Sequence, residues 1–336
     1  MESFVKEAMF YKKLDGRVQC MLCPRHCILS DGQRGACRVR ENIKGKLHTL
    51  VYGRVVAYNI DPIEKKPFYH FYPGNYALSI ATAGCNLRCL HCQNWDISQM
   101  DPEQVPARYF PPEKVVADAI EHGTLISYTY IEPTVFYEYM YDTAKIARAR
   151  NVKNTIVSNG YIEKEPATLL ADVLDAVKID IKAFSDDFYR RVTYVPSMEP
   201  VLESTKLFFS KGLWVELVYL VIPGYNDSMD EIREFARWIR KNLSDIVPVH
   251  FTGYYPAYKM DAPPTPLTTV KKARMVAMEE GLKYVYSGNF LNDPGQNTYC
   301  PVCNKVVIER RGYKIDILLD DQNRCPSCGN IIPIIR

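Results

Sequence analysis

The chain has 336 residues, 47% hydrophobic and 24% charged, with 42 Lys+Arg against 39 Asp+Glu for a net charge of +3. That is core material for roughly two domains. It excludes a disordered or collagen-like chain, offers no run near the ~20 residues of a membrane span, shows no apolar leader, and gives no electrostatic case for nucleic acid.

The anomaly is eleven cysteines, which in a chain read as cytoplasmic argue for metal or redox chemistry rather than a disulfide frame. They fall into three sets of four, three and four. The first is Cys20, Cys23, Cys27 and Cys37, in CMLCPRHC and SDGQRGAC. Its spacing suits a zinc knuckle or an iron–sulfur cluster, with His26 able to replace one thiolate. Reduced or disulfide-linked cysteines are the alternative. Gly32 and Gly35 fit a loop folded tightly around an ion. DPIEKKPFYHFYPG follows, with charges beside aromatics. It reads as a surface loop, or as a lid or substrate wall packed on a barrel mouth.

From residue 77 the pattern alternates. β-branched runs at 77–82, 125–129, 154–158, 176–181, 214–222 and 247–251 predict strands. Helical stretches lie between them. Pro111-Pro112 opens EKVVADAIEHG, which closes on Gly123. VFYEYMYDTAKIARARN reads as an amphipathic helix with core aromatics. Ser228-x-x-Glu231 predicts a capping box before IREFARWIRKNL, and TPLTTVKKARMVAMEEG ends on Gly281. DAPPTP (261–266) reads as a loop and NDPGQN (292–297) as a linker. Strands alternating with helices predict an α/β fold with a parallel sheet, either a barrel or a large open sheet. In both, ligands bind at the carboxyl ends of the strands.

The second set, Cys85, Cys89 and Cys92, lies on the loop AGCNLRCLHCQNW that leaves the carboxyl end of the first strand, ALSIAT. Two sets are complete four-thiolate shells, and this one lacks a ligand. A closed site is structural or carries electrons, whereas an open one can bind substrate. Three thiolates can hold three irons of a [4Fe–4S] cube and leave the fourth free for a bidentate ligand, through which an electron can enter a chelated sulfonium. A three-cysteine zinc site with an external ligand is the competing reading. The third set, Cys300, Cys303, Cys325 and Cys328 in CPVC and CPSCGN, predicts a tetrahedral ion in a zinc ribbon or rubredoxin-like module, zinc being favoured. Val307, Ile315 and Ile317 between the knuckles suit a small hairpin.

These residues resemble a family. Cys85-Asn-Leu-Arg-Cys-Leu-His-Cys92, followed by Gln93-Asn94, looks like the CxxxCxxC loop of the radical S-adenosylmethionine (SAM) enzymes related to the pyruvate formate-lyase activating enzyme. Over about residues 17–292 the resemblance is sharpest to the AmmeMemoRadiSam branch, through CMLCPRHC, DPIEKKPFYHFYPG, EPTVFYEY, VIPGYNDS and HFTGYYPAYKMDAPPTP. The fold it implies is a partial (β/α)6 TIM-like barrel. The barrel would span 76–292, between an N-terminal Cys-rich metal-binding segment (1–75) and a C-terminal zinc-ribbon-like module (293–336). It also implies that Cys85, Cys89 and Cys92 hold the [4Fe–4S] cluster, with SAM on its fourth iron. Asn94, Tyr130, Glu132, Ser158, Asn159, Asp180, Lys182 and His250 would contact SAM, and Pro223-Gly224 would lie near its adenine. Tyr130-Ile131-Glu132-Pro133 stands where the family has Gly-Gly-Glu-Pro, with no glycine left.

Read from the residues alone, Asp180 and Lys182 project to one strand face and serve equally as a ligand site or a buried salt bridge. His250 is more often a satisfied core histidine, and Glu132 is equally a helix N-terminal acid. The expected function is reductive cleavage of SAM to a 5′-deoxyadenosyl radical that takes hydrogen from an unidentified substrate, a protein among the candidates. Structural zinc would fill one or two outer sites, the N-terminal one being zinc or Fe–S. Memo-type and AMMECR-type proteins are candidate partners and ferredoxin or flavodoxin candidate electron donors; no membrane partner is expected. The alternatives are glycyl-radical activation of a partner protein, or a non-catalytic electron carrier or zinc-ribbon adaptor.

Overall fold

Eight strands form the central sheet of the computed structural model, which describes residues 4–291 and 293–336. They are β1 (Ala57–Pro62), β2 (Tyr76–Ala81), β3 (Leu125–Tyr128), β4 (Asn154–Ser158), β5 (Ala176–Asp180), β6 (Trp214–Val221), β7 (Val249–Gly253) and β8 (Val285–Gly288). Their order across the sheet is their order in the chain. β2 to β8 are all parallel to their neighbours, and β1 pairs antiparallel with β2. The sequence expectation of six strands thus omits β1 and β8. β1 ends on Asp61-Pro62, the first two residues of the lid-like segment, and β8 is a four-residue run that ends on Ser287 and Gly288.

Helices α1 (Pro112–Glu121), α2 (Tyr137–Ala149), α3 (Lys164–Ala171), α4 (Glu199–Ser210), α5 (Met229–Asn242) and α6 (Leu267–Glu279) connect successive strands from β2 to β8. α5 buries Ile232, Phe235, Ala236 and Ile239, the i, i+3, i+4, i+7 stripe of a helix lying on a sheet. α5 begins after Ser228, but its predicted capping box does not form, because the Ser228 side chain caps nothing. Glu231 turns inward instead and accepts from the Phe184 N–H at 2.6 Å and the Tyr219 hydroxyl at 2.5 Å. Among the described residues no helix is long and apolar enough to cross a membrane.

Residues 6–49 carry two small three-stranded antiparallel sheets, and Val18, Leu22, Val39 and Leu47 of this segment join one apolar core with Ile131, Val135 and Tyr137 of the central fold. The C-terminal residues form a three-stranded sheet of β9 (Thr298–Tyr299), β10 (Val306–Arg311) and β11 (Lys314–Ile317) with its own apolar cluster, into which Tyr69, Tyr284 and Tyr286 reach. The linker's first residue, Asn292, lies outside the described residues.

The lid-like segment divides in two and is not a surface loop. Lys65, Lys66 and Pro67 wall the cavity described below, while Phe68, Tyr69, His70 and Phe71 are buried. Three buried aromatic rings and a histidine cost too much exposed, and the sheet and the C-terminal module supply the apolar surface that covers them.

Candidate active site

The carboxyl ends of β2 to β7 and the loops leaving them surround a cavity of about 350 Å³. Cys85, Cys89 and Cys92 line it together, each electrostatically felt by the others. The Leu87 N–H donates to Cys85 Sγ at 3.4 Å, Asn159 Nδ2 lies 3.9 Å from the same sulfur, and Cys92 Sγ is 3.1 Å from Ser98 Oγ. Burial pushes the Cys89 thiol up to about 12 and Cys85 well above its ordinary value. Thiols that desolvation keeps protonated become thiolates when a metal takes the proton's place.

The loop that carries them is pinned by Arg88 N–H to Thr193 C=O at 3.1 Å and Leu90 N–H to Val192 C=O at 3.0 Å. Gly84, just before Cys85, has φ +92°, and a Cβ there would come within 2.6 Å of the Cys37 carbonyl oxygen. Only glycine lets the cysteine loop pack this closely on the N-terminal segment.

Asp180, at the end of β5, lies between two ammonium groups. It accepts from Lys178 Nζ and, at 2.8 Å, from Lys182 Nζ. Burial opposes its charge, but the two lysines hold the carboxyl well below the usual carboxylate range. The trio carries one net positive charge at the cavity wall, suited to a carboxylate ligand. Lys178 was missed in the sequence, although i, i+2, i+4 spacing puts it on the same strand face as the other two.

Glu132 is buried and accepts from Thr134 N (3.0 Å), Thr134 Oγ1 (2.7 Å), Ser158 Oγ (2.8 Å) and Asn159 N (2.7 Å). It caps the turn Pro133–Phe136 and binds the ends of β3 and β4 together at the cavity edge. Tyr130 has φ +64°, the left-handed backbone that glycine adopts without strain. A tyrosine is held there because its hydroxyl donates to Asp61, Lys66 Nζ lies 4.1 Å over its ring, and its carbonyl accepts from Asn94 Nδ2 at 2.5 Å.

One expectation is corrected. His250 does not line the cavity. Its Nε2 lies 2.8 Å from Glu216 Oε2, both groups are buried, and Tyr69 and Tyr286 pack on its ring at 4.6 and 5.1 Å. It is a satisfied core histidine, and the β7 residue that reaches the cavity is Thr252, two positions on. Pro223 and Gly224 sit in the turn beyond β6, where the Gly224 N–H donates to Asp227 Oδ1 at 3.0 Å. Val218 and Leu220 line the cavity from that strand.

The four sulfurs of the third set lie within 4.8 Å of one another, Cys300–Cys328 and Cys303–Cys325 at 3.6 Å each. The first set surrounds a separate small cavity. No cysteine is in a disulfide.

Residues 79–261, over half of the chain, match the family model of the radical SAM superfamily. The chain belongs to that superfamily. It is 49% identical over 336 residues to an uncharacterized protein of Methanocaldococcus jannaschii, MJ0808, covering 98% of this chain and 100% of that one. It is 23% identical over 227 residues to the pyruvate formate-lyase 1-activating enzyme of Escherichia coli K12, covering 60% of this chain and 89% of that enzyme. A radical SAM methyltransferase from Sphaerobacter thermophilus has the same fold, with TM-score 0.51 and 15% identity over 85% of this chain and 77% of that one.

Radical SAM proteins are enzymes, and membership implies SAM and a [4Fe–4S] cluster. The donor set fits both groups. The three thiols and the net-positive lysine trio line the same cavity. The match and the activating-enzyme relatives together support SAM cleavage at an iron–sulfur cluster.

Proposed function

We propose that this radical SAM enzyme holds its cluster on Cys85, Cys89 and Cys92, generates a 5′-deoxyadenosyl radical, and uses it to take hydrogen from a carbon presented by a partner protein. One observation carries this reading. Three cysteines, Glu132, Ser158, Asn159 and the Lys178–Asp180–Lys182 trio, from four different segments, meet on one cavity. When bound, the cluster supplies the electron that splits SAM. Lys182 and Lys178 bind SAM's carboxylate, and the carbonyls around Tyr130 and Ile131 accept from its amino group. Ser158 and Asn159, fixed by Glu132, face the ribose. Buried side chains keep water from the radical.

A cavity of about 350 Å³ is at the small end of ligand sites, so SAM fills most of it and the target carbon enters from the mouth. Trp95, next in the chain to the cavity-lining Asn94, stacks on Tyr258 at 5.5 Å, and both stay partly exposed. This is the geometry for a macromolecular substrate. The branch is AmmeMemoRadiSam, and Memo-type or AMMECR-type proteins are the partners to test first. The sheet is the wall of an open, partial barrel. The four C-terminal sulfurs hold a single tetrahedral ion, since a metal–sulfur distance of about 2.3 Å sets sulfurs about 3.8 Å apart, and zinc is the ion to test first. Similarity to the Escherichia coli activating enzyme favours a second reading, glycyl-radical formation on the partner.

Anaerobic reconstitution tests the proposal. The reduced EPR spectrum should change on adding SAM, and 5′-deoxyadenosine should accumulate with dithionite. An unaltered spectrum at saturating SAM overturns it. A stable organic radical on a partner chain would select the second reading.

A further inference from the structure

Cys20, Cys23, Cys27 and Cys37 take no part in the SAM cavity, yet they too are gathered at one place. All four line one small cavity, and each of the six pairs bears electrostatically on the other. We infer that this set holds a second four-iron, four-sulfur cluster, and not zinc.

The three sets of this one chain supply the comparison. The C-terminal sulfurs lie within 4.8 Å of one another, as a single ion demands; among the described residues neither other set brings three sulfurs that close. The first set thus has the wider spacing of the set read above as a cluster site. A cube gives each thiolate its own iron, so the thiolates stand farther apart than around one ion. The space they surround is about 20 Å³, where one water needs roughly 10–15 Å³. A lone ion would leave that void.

The lining fits a charged inorganic core. The backbone N–H of Ala36 donates to Cys27 Sγ at 3.5 Å, and the backbone N–H groups of Leu22, Arg25 and Val39 favour the thiolates of Cys20, Cys23 and Cys37. Arg40, 2% exposed, lines the cavity. Its Nη2 donates to both oxygens of Glu138 at 2.6 Å, while its Nε finds no partner in the protein. A buried guanidinium N–H left bare is costly, and a cluster sulfide is an acceptor for it. His26 also lines the cavity and turns its Nε2 to Glu163 Oε1 at 2.9 Å.

The position gives the cluster a role. Asn86 and Thr134 also line this cavity. Asn86 follows Cys85 in the chain, and its side chain accepts at 2.9 Å from the same Asn159 Nδ2 that lies 3.9 Å from Cys85 Sγ. Arg25 Nε donates to the Asn86 carbonyl. The two cysteine sites share a thin wall. The N-terminal cluster takes one electron from a low-potential carrier of the ferredoxin or flavodoxin class, passing from the 2+ to the 1+ state. It returns to 2+ by giving that electron to the SAM-binding cluster. This role, unlike the metal assignment, rests on the function proposed above.

Iron, sulfide and zinc counts on the full-length reconstituted chain, with EPR, test the inference. About eight irons and one zinc are expected, falling to about four irons in a Cys85→Ala/Cys89→Ala/Cys92→Ala triple variant whose remaining reduced cluster ignores SAM. A triple variant with no iron, or a wild type with two zincs, overturns the assignment. Eight irons with no SAM response in the wild type would support this inference while refuting the proposed function. In Cys20→Ala/Cys23→Ala, the ratio of flavodoxin-driven to dithionite-driven 5′-deoxyadenosine formation should fall at least tenfold; an unchanged ratio refutes the relay. If that variant does not fold, the triple variant still decides the metal.

Discussion

Two buried charge clusters project inward from neighbouring strands of one sheet. On β5, Asp180 lies between Lys178 and Lys182 and faces a cavity. On β6, Glu216 stands opposite Lys178 in register, but it accepts from the Tyr69 and His70 N–H groups, Trp214 Nε1 and His250 Nε2. The sequence presents both as polar residues in apolar strand runs. The difference lies in who satisfies them. Glu216 is closed by four protein donors and bolts the lid-like segment under the sheet, whereas the lysine trio keeps a net charge that only a ligand can answer. A buried charge therefore identifies a binding site only after its partners are counted.

The largest expected effect lies at the open end. Cys89→Ala removes one of three anchors, so the SAM-dependent EPR change and 5′-deoxyadenosine should both vanish while the circular dichroism spectrum and melting cooperativity persist. Cleavage that survived would move the chemistry elsewhere.

At the closed end, Glu216→Ala strands His250, Trp214 Nε1 and two backbone N–H groups. It should cost about 3–5 kcal/mol of stability, read by urea denaturation. A loss below about 1 kcal/mol would show that the network is not structural.

Acid should separate the two ends next. Burial holds His70 down to about 4 and lowers His250 as well. The folded chain thus refuses protons that the unfolded chain takes up below about 6.5. Stability is fully present above that pH and falls as pH drops from about 6.5 toward 4. His70→Asn should flatten that stretch of a Tm-against-pH curve; an identical slope would place the acid sensitivity in other groups.

The smallest effect belongs to the lysine trio. Lys182→Met leaves Asp180 paired with Lys178, so the fold should hold while SAM binds roughly tenfold more weakly, about 1.4 kcal/mol. Equal affinity by calorimetry would take Lys182 out of the carboxylate site.

Much of this was legible from spacing. The cysteine partition, the open loop after the first long strand and the strand–helix alternation are local patterns, and local patterns survive in one dimension. Strand periodicity found Asp180 and Lys182, and applied one step further would have found Lys178. The family resemblance nominates His250 as well, wrongly, because a match to a strand position assigns a side chain to a face and not to a depth. Whether a residue on β7 meets the cavity or Glu216 depends on the stagger between strands, set by pairings hundreds of residues apart in places, as between His70 and the Pro333 carbonyl at 2.7 Å.

The sequence by itself determined the element order, the three cysteine groups and the open position in the middle one, since each follows from residue type and short-range spacing. The tertiary structure decided the rest. It placed Tyr130 in a glycine-like backbone that Asp61, Lys66 and Asn94 support, and it closed Glu216 while leaving Asp180's trio open. It also set the sulfurs of the outer sets at different separations. Those outcomes depend on distances between segments remote in the chain, and such distances are fixed only when the shared core packs.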